Sequence, residues 1–337
     1  KLPLIERALH EANAAPMAEV DAPARDLDRY LYEPLAHFTA GGGKRVRPVL
    51  ALLGAEAMGG CAEQALSSGV AIELFQSAAL IHDDIADASE LRRGEPCLYR
   101  THGEGLAINA GDLALTRVFE VVLNDASLPG DRRLRVLDEL VRMERHTLEG
   151  QALDLGWARD GRWDVTSSDY LYMIEGKTAW YTVASPLRIG ALAAGAADEA
   201  ARELVELGRP AGLAFQLQDD LLNLVGDASA QGKDFRSDIT EGKRTLAVVW
   251  ALEPLDDEPH RELVDLLESK TTNPDELARA VKLIEQGGGI EACRDLALKL
   301  TRDAQGKARA LATSGTITPE SAELLCSMAD FFINRSA

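Results

Sequence analysis

Residues 72–97 read IELFQSAALIHDDIADASELRRGEPC. An apolar, alanine-rich run ends here in carboxylates. Asp83 and Asp87 are four positions apart, so on a helix they share one face, one turn above the other. Asp84 lies beside them, rotated by about 100° on the 3.6-residue period. Nothing basic separates the three, and like charges at this spacing repel, so a helix does not carry the cluster for its own stability. A hard divalent cation, which prefers carboxylate oxygens, removes the repulsion. Beyond Asp87 come Arg92 and Arg93, whose guanidinium groups match phosphate oxygens in bidentate geometry. Carboxylates for a metal beside arginines for phosphate point to a metal-bound diphosphate. The plainer alternative is a solvated acidic helix end followed by a basic loop.

The signal recurs at residues 215–223, FQLQDDLLN. Asp219 and Asp220 close a second apolar run, with Asn223 four positions after Asp219. Two such clusters, each ending an apolar helix, predict carboxylates that face each other across one cavity. The pair resembles the DDxxD and DDxx[DN] motifs of the trans-prenyltransferases, the isoprenyl diphosphate synthases. The first motif is complete as Asp83-Asp84-Ile85-Ala86-Asp87. The second carries Asn223 in place of the commoner Asp, as geranylgeranyl diphosphate synthases among others do.

The remaining composition bounds the fold and its partners. The chain has 337 residues, 46% of them hydrophobic and only 5% aromatic. Ala and Leu dominate, which favours helices over strands. A net charge of −19 argues against nucleic acid, whose phosphates need a basic face, and against docking on anionic lipid. Cys61, Cys97, Cys293 and Cys326 show no CxxC spacing, so neither a zinc site nor a disulfide framework is expected, and a reducing, cytoplasmic setting is. No secretory leader is legible in KLPLIERALHEANAAP, and no uncharged apolar run approaches the length of a membrane span. No internal repeat is evident.

Further motifs follow in chain order. Residues 3–13 and 25–40 read as amphipathic helices. GGGKRVRPVL at 41–50 frees the backbone at its glycines, and Pro48, tolerated only in a first turn, sets a helix start near Arg45–Arg47. Lys44 and Arg47, three apart at a helix N-terminus, make an anion site; the Walker pattern is absent. Residues 104–125 and 131–156 continue the helical period, the second ending in GQALDL with Gln151 and Asp154. A polar loop over 157–168 leads to a helix capped by Ser167 or Ser168. Within EGKTAWY, Gly176 and Thr178 flank Lys177 and weaken the helix, so that a carbonyl is left free. After the second cluster, VGDASAQGKDFRSDITEGKRT reads as a long loop of the kind that forms lids. Residues 243–335 return to helix, with a start at Asn273–Pro274 and a stop at Gly287–Gly289.

The resemblance covers about residues 30–250 with its motifs in order. It implies a single all-α domain over 1–337, a large helical bundle of the isoprenoid synthase type I fold around a central cavity, and a homodimer. It implies Mg²⁺, three ions in the full set with Mn²⁺ as a substitute, held by Asp83, Asp84, Asp87, Asp154 and Asp219. The substrates implied are isopentenyl diphosphate and an allylic diphosphate: dimethylallyl, geranyl or farnesyl. Lys44 and Arg47 take the isopentenyl diphosphate, with Gln76 and Arg93 assisting, and Arg92 goes to the allylic diphosphate. Lys177 touches that diphosphate, Thr178 offers its oxygen to the carbocation, and Phe215, Gln216 and Asp220 line the same site. Lys233 and Lys243 close over the allylic diphosphate, and Asp238 lies near the metals; Arg244 is a weaker candidate. His82 points about 100° away from Asp83 and is assigned a structural place rather than that of a base.

Product length is expected from the helix that carries Asp83. Family members with bulky aromatics four or five positions before the first Asp stop at fifteen carbons. Ala78 and Ala79 stand there instead, and Phe75, about 6 Å further along the helix, becomes the expected floor. That favours geranylgeranyl diphosphate, with farnesyl and longer polyprenyl diphosphates as alternatives and Phe119 as another floor. A class I terpene cyclase would need an NDxxSxxxE motif that is absent. A non-catalytic partner subunit would have lost one Asp motif, and both are present.

Overall fold

The computed structural model describes residues 1–14, 23–226 and 236–334. Helices dominate, and among the described residues the only sheet is a two-stranded hairpin, Leu91–Arg92 against Glu95–Pro96. The chain divides into two compact units. The first comprises residues 1–142, 185–204 and 316–321; the second comprises 143–184, 205–315 and 322–337. The divisions at 142, 204 and 321 fall inside the helices Gly130–Arg159, Asp198–Val225 and Pro319–Asn334.

In the first unit the helix Leu66–Ala86 is the central strut, flanked by Glu104–Leu123 and Val46–Ala57. Val70, Ile72, Leu74, Ala78 and Ile81 are at most 3% exposed, and burying a side chain of the larger kind contributes about 1.5–3 kcal/mol. Helix Val46–Ala57 meets Ser185–Ala194 backbone to backbone: a Cβ on Gly190 would sit 1.8 Å from the Ala51 carbonyl oxygen. By length and composition the segment 62–86 also passes as a membrane span, yet 67% of its apolar window is buried inside the protein, as befits a core helix.

The second unit is built on Ser167–Ile174, the C-terminal part of Asp198–Val225, Leu246–Leu252, Asp257–Glu268, Pro274–Gln286 and Gly289–Thr313. Its core includes Tyr170, Met173, Leu217, Leu221, Leu246, Leu263 and Ile284. Two local expectations shift. The helix expected to end at 156 runs to Arg159. The next helix is capped by Thr166 rather than Ser167 or Ser168, because Thr166 and Asp169 exchange both bonds of a capping box.

Candidate active site

The first carboxylate cluster ends the helix Leu66–Ala86. Asp87 is the C-cap and Ala88 follows at φ 52. Ser89 N donates to Asp84 O (2.9 Å) and Ala88 N to Ile85 O (3.2 Å), which is a Schellman closure with alanine in the place glycine usually takes. This helix is buried on most sides, but Gln76, Ala79, Leu80, Asp83 and Asp87 form a half-buried stripe along one face. Phe75 and Ala78 lie off that stripe and are 3% and 0% exposed. His82 turns to the helix Glu104–Leu123. Its ring nitrogen lies 3.3 Å from the Ile108 carbonyl oxygen, and a Cβ on Gly111 would stand 2.3 Å from it.

The three aspartates do not behave alike. Asp83 and Asp87 are half-buried on the stripe, whereas Asp84 is buried and takes both Nε and Nη2 of Arg92 on its Oδ1. Its Oδ2 is buried without a hydrogen-bond partner. Burial, then the Asp84 charge, pushes the Cys97 thiol up to about 12, so it stays protonated and unreactive. The hairpin turns through Arg93 (φ 56) and Gly94 (φ 82), a turn with both central residues left-handed, as two-residue hairpins favour.

A cationic group gathers in the same unit. Arg45 begins the helix Val46–Ala57 in a left-handed conformation, φ 48, and is 3% exposed. Its guanidinium donates to Glu73 Oε1 (2.8 Å), to both oxygens of Glu6 (2.7 and 3.2 Å) and to the Thr39 carbonyl (2.8 Å). Lys44 and Arg47 flank it, the first exposed and the second buried. Burial lowers the Arg93 guanidinium; the Glu73 carboxylate opposes this, and the charges of Arg45, Arg92 and Arg47 add to it. Glu73, 2% exposed, is therefore the buried counter-charge of the group, and its Oε2 has no hydrogen-bond partner. Neither Arg45 nor Glu73 was singled out from the sequence. A charged residue inside the otherwise apolar run VAIELF was the available signal.

The second cluster belongs to the second unit. Residues Glu175–Ala184 form a π-helix, a local widening common at functional sites, where the sequence predicts a weak point. A Cβ on Gly150 would lie 2.3 Å from Lys177 N, and one on Gly212 would lie 2.6 Å from Ala179 Cα, so two neighbouring helices press on this segment through glycine. Lys177 Nζ donates to Asp154 Oδ2 at 2.5 Å. Thr178 Oγ1 donates to Gln216 Oε1 (2.8 Å), and Gln216 Nε2 donates to Asp220 Oδ1 (2.8 Å). Tyr170 donates to Asp220 Oδ2. Burial, then the Asp238 charge, raises Asp220 well above the usual carboxylate range, against the two hydrogen bonds. Asp219 is exposed, and Phe215 packs edge-on to Phe332 at 5.3 Å.

Asn223 has a further place. Its Oδ1 accepts from Asp238 N and its Nδ2 donates to Ser237 Oγ, each at 3.2 Å. It thus ties the second cluster's helix to the short helix Ser237–Thr240. Lys243 pairs with Asp238 (3.2 Å) and with Glu241. Arg244 stacks on Trp163 and donates to the Arg162 carbonyl, at 3.9 and 2.8 Å, so it braces the loop. Lys233 lies outside the described residues.

Among the described residues, no three His, Cys, Asp or Glu side chains converge closely enough to hold a metal ion by themselves. Small hard cations commonly take one or two carboxylates and complete their shell with water and substrate phosphates. Asp83 and Asp87, half-buried and one turn apart on the stripe, present two carboxylates, whereas Asp84 is buried against Arg92.

The sequence profile of the polyprenyl synthetase family matches residues 28–284. A short chain isoprenyl diphosphate synthase from Methanothermobacter thermautotrophicus is 39% identical over 301 residues, covering 89% of this chain and 88% of the relative. A geranylgeranyl diphosphate synthase from Methanosarcina mazei is 35% identical over 305 residues, 90% of each chain. A crystal structure of geranylgeranyl pyrophosphate synthase from Corynebacterium glutamicum, complexed with isoprenyl diphosphate and magnesium, superimposes with a TM-score of 0.87 at 29% identity. It covers 99% of this chain and 98% of that one. A family profile that spans most of the chain, a relative 39% identical across 89% of it and a helical frame shared over 99% of it give one assignment: the chain belongs to the polyprenyl synthetase family of transferases.

Proposed function

We propose that the protein condenses isopentenyl diphosphate head-to-tail with an allylic diphosphate, and that the main product is geranylgeranyl diphosphate. The observation that carries this is the half-buried stripe Gln76–Ala79–Leu80–Asp83–Asp87 on a helix otherwise packed into the core. A small, mainly apolar path that ends in carboxylates suits a ligand with a hydrocarbon tail and an anionic head, joined to the protein through a cation. Asp83, Asp87 and Asp219 would hold Mg²⁺, with Asp84 Oδ2 and Asp154 in support; three ions make the proposed full set, and Mn²⁺ is the proposed substitute. Bound there, the metal neutralises diphosphate charge and makes it a better leaving group. Lys44, Arg47, Arg93 and Gln76 bind isopentenyl diphosphate. Arg92, Lys177, Lys233 and Lys243 bind the allylic diphosphate.

The allylic C–O bond breaks and its electron pair leaves with the diphosphate. The isopentenyl double bond then forms the new C–C bond, and a proton is lost from the neighbouring carbon to the departed diphosphate. Thr178, Gln216 and the side chains around them exclude water and stabilise the positive charge. Residues 1–337 act as one domain, since neither unit is a contiguous segment. All four cysteines are free thiols, which fits the proposed cytoplasmic setting.

The proposed partner is a second copy of the chain. Leu134, Val141, Leu148 and Leu155 recur every seven residues along one helix and are 70%, 54%, 64% and 41% exposed. Such a stripe is unusual without a partner. Incubation with Mg²⁺, isopentenyl diphosphate and each allylic primer tests the reaction. Chain elongation supports the synthase, hydrocarbon release would indicate a cyclase, and silence would indicate a non-catalytic subunit.

A further inference from the structure

We infer that the N-terminal helix Leu2–Ala14 braces the proposed isopentenyl diphosphate site: through Glu6 it holds Arg45, and Arg45 is a positioning residue that sets the bend carrying Lys44 and Arg47. The inference rests on the prenyltransferase reading and deepens it.

Every residue involved lies in the first unit. The backbone bends sharply before the helix Val46–Ala57, where Gly42, Gly43 and Arg45 have φ 88, 139 and 48. For the glycines such values cost little. A left-handed arginine is strained, and strain of this kind persists where the surrounding contacts over-determine it. Arg45 is also the N-cap, and its carbonyl accepts from Val49 N at 3.1 Å. Its conformation therefore fixes how the helix leaves the bend, with Lys44 just before it and Arg47 in the first turn.

The contacts that hold Arg45 come from separate helices. Glu6, on Leu2–Ala14, takes Nε and Nη2; Glu73, on Leu66–Ala86, takes Nη1; the Thr39 carbonyl, near the end of Glu33–Ala40, takes Nη2 as well. The N-terminal helix is itself fastened. Ile5 and Leu9 are 0% and 3% exposed, and Asn13 donates to Thr39 Oγ1 (2.9 Å) and accepts from Arg117 Nη1 (3.0 Å). Thr39 is thus gripped by its carbonyl from Arg45 and by its hydroxyl from Asn13.

These bonds engage every guanidinium nitrogen of Arg45, and the carboxylates of Glu6 and Glu73 neutralise its charge inside the fold. Its part is to hold the bend rather than to grip a diphosphate. A fork that spans several acceptors at fixed angles does this in a way a point charge does not. The same bend runs beside another cation of the proposed site: a Cβ on Gly43 would lie 3.3 Å from Arg93 Nη2 and 3.6 Å from Arg45 Nη1.

The test is Glu6→Ala, with Arg45→Lys beside it, in the full chain with Mg²⁺, isopentenyl diphosphate and geranyl diphosphate. Removing a carboxylate near an anion site strengthens anion binding through the field alone, and more so if the released guanidinium were itself a diphosphate ligand. Positioning predicts the reverse sign. Glu6→Ala is expected to raise KM for isopentenyl diphosphate about fivefold, the scale of a lost charge-assisted hydrogen bond, with KM for geranyl diphosphate within about twofold. Arg45→Lys, which keeps the charge and loses the fork, is expected to raise it at least as much. A fall or no change in that KM for Glu6→Ala, an equal rise for both substrates, or a wild-type KM in Arg45→Lys would overturn the inference. Wild-type elongation is measured first. Its absence would refute the prenyltransferase reading alone, and the Kd for inorganic pyrophosphate then takes the place of KM, with a rise in Glu6→Ala supporting the brace and a fall or no change overturning it. Should Arg45→Lys fail to fold, Glu6→Ala, a change at an exposed residue, decides.

Discussion

At the residue scale, function and stability pull the same carboxylates in different directions. Asp83 and Asp219, the proposed metal carboxylates, are half-buried and exposed, whereas Asp84 is buried and paired with Arg92. Asp83→Ala and Asp219→Ala are each expected to lower kcat by about two orders of magnitude or more, the scale set by losing stabilisation of a leaving diphosphate. Thermal unfolding should remain near that of the wild type. Near-normal turnover in either variant would break the two-cluster mechanism. Glu144 shows the opposite case. Burial alone pushes its carboxyl up to about 7, and its Oε1 has no partner. Its folded pKa therefore exceeds the unfolded value, so between about pH 4.5 and 7 the unfolded chain gives up a proton that the folded chain keeps. Stability from this group is present at low pH and lost as pH rises through that window, by up to about 3 kcal/mol. Glu144→Gln is expected to stabilise the protein at pH 8 and to change little at pH 4, read by urea midpoints at both. Equal shifts at the two values would contradict the assignment.

At the element scale, the stripe on Leu66–Ala86 and the cap on Ser237–Thr240 matter most. Periodicity placed Asp83, Ala79, Gln76 and Phe75 on one face; the burial pattern follows it for the first three, whereas Phe75 is buried off the stripe. Phe75 lies about 80° from Asp83 around that helix and is buried, so it bounds the stripe from the side. Phe75→Ala is expected to shift product toward longer chains, and Ala79→Phe, on the stripe itself, to shorten it, both read by chromatography of the dephosphorylated alcohols. If Phe75→Ala leaves the distribution unchanged, the floor is set elsewhere, with Phe119 the next residue to vary. Asn223 gives the terminal position of the second motif a mechanical meaning, because it both accepts from Asp238 N and donates to Ser237. Asn223→Leu is expected to destabilise the short helix by about 1 kcal/mol, as for a lost cap, and to speed proteolysis after Arg236. Asn223→Asp keeps the acceptor and should behave much more like the wild type.

At the scale of the whole molecule, the exposed heptad stripe is the surface that the proposed dimer would cover. An interface of stable size needs a broad, well-packed patch, and the apolar stripe spans Leu134 to Leu155 along one long helix. Val141→Lys with Leu148→Lys is expected to convert a dimer into a monomer in sedimentation velocity at micromolar concentration. A wild-type protein that already sediments as a monomer there would remove the proposal.

Much of this protein is legible in its sequence because its decisive signals are local. The fall from apolar run to carboxylates, the arginines that follow, and the Pro48 helix start each depend on residues within a turn or two of each other. Helical period and capping chemistry act over the same range, so helix placement and the all-α class follow. The π-helix was visible only as a weak point, since the close approach of Gly150 and Gly212 that accompanies it comes from helices far along the chain. Long-range partners were not legible at all. Nothing near Arg45 announces that Glu73 and Glu6 will receive it, nor near Asp220 that Tyr170, 50 residues earlier, will hold its second oxygen. Buried polar groups must find partners wherever packing brings them. Which partner each one finds is settled by the packing of helices remote in sequence, and only the tertiary structure decides it.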